Sequence, residues 1–102
     1  MEGIDRRERT RRRLREPATA EWHGQRLTGE ATELSRDSVF VEAPSAPPED
    51  AGIELTIGIG DTALHLPCRV RRAAGGGFAG EFEILTAAQR EALDKFLTGL
   101  PY

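Results

Sequence analysis

The chain of 102 residues is short of several things that would define other classes of protein. It has one cysteine, Cys68, which excludes an internal disulfide and a cysteine-based metal cluster. Its two histidines are isolated: His23 falls at a predicted turn and His65 on an outward strand face, so neither suggests a metal site. No apolar run approaches the roughly 20 residues that a membrane-spanning helix needs, and no membrane insertion is expected. The N-terminus is rich in arginine with no apolar stretch behind it, unlike a secretory signal, so a cytoplasmic setting is expected. No serine is placed with a histidine and an acid in a suggestive order, and no enzymatic activity is expected. The length leaves room for one small core, and most apolar residues must serve it.

What is present is unevenly charged. The net charge is −3, but residues 1–15 hold seven arginines against Glu2, Asp5 and Glu8, a local +4. The other 87 residues carry seven basic and 14 acidic side chains, a local −7. A basic arm joined to an acidic body points to an anionic partner for the arm. Nucleic acid is the rival partner, but the acidic body offers no broad face for many phosphates. No helix-turn-helix or RNA-binding signature is visible either, so no DNA is expected.

Along the chain the pattern is an arm, six short strands and one helix. Residues 1–16 read as a flexible arm and 17–102 as a single barrel domain. Strands are predicted over 18–22, 27–34, 38–42, 53–59, 63–72 and 78–84, the second, fourth, fifth and sixth with a period of two and the third from its β-branched and aromatic centre Val39-Phe40-Val41. In the second, Leu27, Gly29, Ala31 and Glu33 share a face; in the last, Phe78, Gly80, Phe82 and Ile84 do. His23-Gly24-Gln25, Gly60-Asp61 and Gly75-Gly76-Gly77 are turns, and 43–52, with three prolines, is a loop. Thr86-Ala87-Ala88-Gln89 is a capping box opening a helix over 86–98, with Leu93, Phe96, Leu97 and Leu100 in one stripe. Gly99 and Pro101 end it. The expected fold is mainly β: a six-stranded antiparallel barrel with a basic N-terminal arm and a closing amphipathic helix.

Four local features carry a family resemblance. The arm contains RxxxR at Arg7-Glu8-Arg9-Thr10-Arg11, followed by Leu14 and Pro17-Ala18-Thr19 where the first strand begins. Glu33-Leu34-Ser35-Arg36-Asp37-Ser38 fits a [D/N]-x-S-x-x-G pattern, and Gly80-Glu81-Phe82 fits the end of the last strand. In order and spacing these resemble the PilZ domain over residues 6–98. The registers Arg9/Arg13 and Arg11/Arg15 also satisfy RxxxR; the offset to Leu14 and Pro17 favours Arg7/Arg11.

The resemblance implies a receptor for cyclic di-GMP, a bacterial second messenger, with no further cofactor. It places Arg6, Arg7, Arg11, Glu33, Ser35 and Ser38 at the ligand. Arginine suits the task, because its planar fork gives bidentate bonds to phosphate and guanine and its face stacks on bases. The sequence departs from the family pattern at Glu33, where Asp or Asn is usual, and at Ser38, where Gly is usual. A Cβ at a position needing positive φ costs on the order of 1 kcal/mol, and each 1.4 kcal/mol is about tenfold in affinity. The alternative implied by these departures is a degenerate PilZ adaptor that binds only proteins. In either case an unidentified downstream protein is the expected partner.

Other motifs have plainer readings. Gly75-x-Gly77-x-x-Gly80 matches a dinucleotide fingerprint but leads into a strand, so no helix N-terminus awaits a pyrophosphate. Cys68 alternates with Leu66 and Val70 and reads as a buried, inert thiol. Glu81 and Glu83 read as a solvated strand face. Trp22 fits either the core or the barrel lip.

Overall fold

A computed structural model describes residues 11–100. Six strands run β1 (Arg12–Trp22), β2 (Gln25–Leu34), β3 (Ser38–Glu42), β4 (Gly52–Ile57), β5 (Leu64–Ala74) and β6 (Gly77–Phe82). One helix follows, α1 (Ala87–Thr98). All pairings are antiparallel, and the strands close in the order β1-β2-β3-β6-β5-β4. Closure gives each of the six strands a partner on both sides along at least part of its length. Among the described residues, no helix is long and apolar enough to cross a membrane.

Period-two alternation builds the interior. Ala18 and Ala20 of β1, Val39 and Val41 of β3, Ile53, Leu55 and Ile57 of β4, and Leu64, Leu66, Cys68 and Val70 of β5 are all buried. Phe78 is the largest side chain wholly removed from solvent. The helix adds Leu93 and Leu97 to the same core, with Phe96 and Leu100 packed beside them. Its capping box is present: Gln89 N donates to Thr86 Oγ1 at 3.1 Å and Thr86 N to Gln89 Oε1 at 2.9 Å. Trp22 is half-buried and packs on the core.

Several expected boundaries move, each for a physical reason. The first strand begins at Arg12, not Ala18, so residues 12–16 belong to the barrel, where they pair with the end of β2. In β2 a bulge at Thr32 breaks the alternation: Ala31 and Leu34 face inward while Glu33 is exposed. A similar bulge between Val70 and Arg72 extends β5 to Ala74 and turns both Arg71 and Arg72 outward. The last strand stops at Phe82, leaving Ile84 95% exposed. Glu83 N still donates to Pro67 O at 2.9 Å, but Pro67 has no N–H to return, and the ladder ends there. The fourth strand ends at Ile57, and the expected tight turn at Gly60-Asp61 is a 3-10 turn over Gly60–Thr62.

Tight hairpins hold the register. His23 (φ 50°) and Gly24 (φ 75°) supply the two positive-φ positions that a two-residue turn between twisted strands needs. Gly29 serves closeness instead: a Cβ there would run into Glu42 O and lie 2.9 Å from Ala43 Cβ. Gly29→Ala is therefore expected to lower stability by about 2 kcal/mol in urea or thermal unfolding. Gly75→Ala, facing open space at ordinary φ, should stay within about 0.5 kcal/mol of the parent.

Candidate functional site

The tetrapeptide Ser35-Arg36-Asp37-Ser38 joins β2 to β3, and its shape comes from one hydroxyl. Ser35 N donates to Ser38 O at 2.9 Å. Ser35 Oγ accepts from Asp37 N and from Ser38 N, both at 3.1 Å, and lies 3.2 Å from Ser38 Oγ. Short polar side chains favour turns for this reason. Ser35 is 6% exposed, the one buried polar side chain among the described residues, so its oxygen shapes the site from beneath. Asp37 O accepts from Phe82 N at 2.9 Å, which fixes the turn to the end of β6.

Around that turn lies a pocket of about 100 Å³ lined by Arg11, Glu33, Leu34, Ser35, Ser38, Val39, Phe40, Arg72 and Ala79. Four of the six residues expected at a ligand are thus brought together: Arg11, Glu33, Ser35 and Ser38. Arg6 and Arg7 lie outside the described residues. Arg11 pairs with Glu33 at 3.7 Å, with both side chains about half exposed. An exposed pair of this kind is worth about 0–1 kcal/mol, so either group is readily redirected to another partner. Ser38 does not occupy a glycine-demanding conformation, because outside glycine only His23 and Asp50 have positive φ among the described residues.

Two lining residues were not anticipated. Arg72 continues the inward series 64, 66, 68, 70, and its charge was the available signal: an arginine cannot point into a dry barrel, so a bulge had to precede it. It has no ion-pair partner among the described residues. Phe40 faces the pocket because its neighbours Val39 and Val41 both face the core.

Both walls of the pocket are tied to α1. The residue after Arg11 donates through Arg12 Nη1 to the carbonyls of Leu97 (3.3 Å) and Leu100 (3.0 Å) at the C-terminal end of the helix. From the turn, Arg36 Nε donates to Asp94 Oδ1 at 3.1 Å, and Arg36 O accepts from Arg90 Nη1 at 2.9 Å.

A larger cavity, about 690 Å³, lies elsewhere, beside the β1–β2 hairpin, and contains none of the expected residues. Its lining includes Trp22, Glu54, Cys68 and Glu83, and its one free carboxylate among those is Glu54, since Glu83 pairs with Arg69 at 2.8 Å. The residues expected at a ligand converge instead at the Ser35 turn. No group of three or more His, Cys, Asp or Glu among the described residues is arranged to hold a metal.

A family model, the PilZ domain, matches residues 5–99, and the chain belongs to that family. Its fold is similar to the PilZ domain of CeSA from a cellulose-synthesizing bacterium (TM-score 0.73, 20% identity, 87% of this chain and 95% of that one). It is also similar to the Bacillus subtilis inhibitor of motility, MotI/DgrA (TM-score 0.73, 12% identity, 87% of this chain and 48% of that one). No curated protein matches the chain.

Burial, with smaller contributions from Glu54 and Glu83, pushes the Cys68 thiol from 9.0 up to about 12. In the native protein at pH 8 it should resist a thiol-specific chromogenic reagent, and react fully once denatured. Because the folded pKa is the higher one, the stabilisation is complete below pH 9 and is lost as pH rises from 9 toward 12. A Cys68→Ala chain should lack that part of the alkaline decline in unfolding measurements.

Proposed function

We propose that the chain is a cytoplasmic, non-enzymatic receptor for cyclic di-GMP. The reading is supported most by one observation: Arg11, just before β1, and Glu33, Ser35 and Ser38, from the β2–β3 connection, line a single pocket in a chain of the PilZ family. Arg7 and Arg11 grip the phosphates and guanine edges from the arm. Arg72 adds a fixed cation from the barrel side, and Phe40 an apolar surface for a base. Glu33 exchanges its weak pairing with Arg11 for guanine N–H donors, which frees the guanidinium for phosphate. The Ser35 turn keeps this geometry fixed before the ligand arrives, which lowers the ordering cost of binding.

A second reading, a PilZ adaptor that has lost the nucleotide, draws on the size of the pocket. About 100 Å³ is below the roughly 300–1,000 Å³ common for small-molecule sites, and the arm residues Arg6 and Arg7 lie outside the described residues. The receptor reading is preferred because Arg72 and Arg11 are two cations at one small pocket with a single carboxylate between them.

Isothermal titration calorimetry with cyclic di-GMP decides between the readings. Binding is expected, with Arg11→Ala and Arg72→Ala each weakening it by about tenfold or more, the value of one charge-assisted hydrogen bond. Absence of binding heat at millimolar ligand would leave the adaptor reading.

A further inference from the structure

The two walls of the pocket belong to different segments of the chain. One is the start of β1, carrying Arg11; the other is the Ser35–Ser38 turn. The β1–β2 ladder joins them at Arg12↔Leu34, and beyond that last pairing only the exposed Arg11–Glu33 pair, a weak link, connects Arg11 to the β2 side. Each is anchored separately to the same third element, α1. Arg12, the neighbour of Arg11, spans to the carbonyls of Leu97 and Leu100 at the C-terminal end of the helix, where its dipole is negative. Arg36, within the turn itself, is held from both sides by Asp94 and Arg90, four residues apart on one face of the helix. Neither anchor touches the pocket: Arg12, Arg36, Arg90 and Asp94 are absent from its lining.

We propose that α1 is the brace that fixes Arg11 against the Ser35–Ser38 turn where the β1–β2 ladder ends, with Arg12, Arg36 and Asp94 as positioning residues for the nucleotide. The inference rests on the receptor reading above. Its physical content is reciprocal. If the docked helix holds the walls at the binding distance, a ligand bridging the walls must tighten the helix by the same factor. Ligand occupancy is thereby transmitted to the end of the barrel where α1 lies, through Arg12 to its last turn and through Arg36 to its middle. The exposed face of the helix, which includes Glu91 and Lys95, then reports the state of a pocket that it does not contact.

The test combines calorimetry with hydrogen exchange on the full chain. Asp94→Ala should weaken cyclic di-GMP binding about threefold, the scale of an exposed ion pair, with the melting temperature unchanged. Asp94→Glu should recover part of the loss. Arg12→Ala should weaken binding roughly tenfold. In the parent, saturating ligand should slow amide exchange about fivefold or more in residues 93–100 as well as in the turn. Binding that slows the turn but leaves the helix unchanged would overturn the proposal while sparing the receptor reading. So would Asp94→Ala and Arg12→Ala variants that bind like the parent. Failure of the parent to bind at all would remove the receptor reading, and the brace with it.

Discussion

A charged side chain cannot point into a barrel this small, and that constraint organises the pocket. Where the alternating pattern would carry Glu33 or Arg72 toward Ala31 or Val70, one extra residue is inserted: Thr32 in β2 and Arg71 in β5. Each bulge shifts the phase of its strand, so that Leu34 and Ala73 return to the core side while the charge remains in solvent. Burying either charge unpaired would cost several kcal/mol, far more than the loss of one ladder bond. The two displaced charges come out at the same place, beside the start of β1, and there they meet Arg11. The site is in this sense a product of closing the barrel.

The remainder of the local structure serves to keep that arrangement rigid. Ser35 spends both acceptor positions of its hydroxyl on backbone N–H groups, which locks the β2–β3 turn without any ligand. The helix covers the core with Leu93 and Leu97 and holds the turn with Arg90 and Asp94. Burial of the two leucines fixes where α1 sits; the polar contacts at its rim fix what else sits with it.

Much of this was legible in the sequence. The six strands, their antiparallel barrel and the capped helix follow from period-two runs, glycine turns and the Thr86–Gln89 box, because each of these is decided within a few residues. Arg11, Glu33, Ser35 and Ser38 were legible through the family pattern, and they do line one pocket. The bulges were less visible, since the extra residue is chosen by pairing with strands distant in the chain. Hence Glu33 was expected on the face of Leu27 and Ala31, and Arg72 was passed over although its place in an inward series signalled the break. The ends at Ile57 and Phe82 are less visible for a related reason: Ile59 and Ile84 continue the apolar pattern, but Gly58 and Glu83 each donate to a proline, Pro17 and Pro67, that has no N–H to return. Ser35 also has a structural task that the pattern does not reveal, since its hydroxyl accepts two turn amides and holds the backbone around it.

The most direct test of the central claim is to titrate isotopically labelled protein with cyclic di-GMP and map the backbone amide resonances that move. The account predicts shifts concentrated at Arg11, at Glu33 to Phe40 and at Arg72. Shifts gathered instead around Trp22, His23 and Glu54 would place the ligand in the larger cavity and contradict the account, as would a spectrum that does not change.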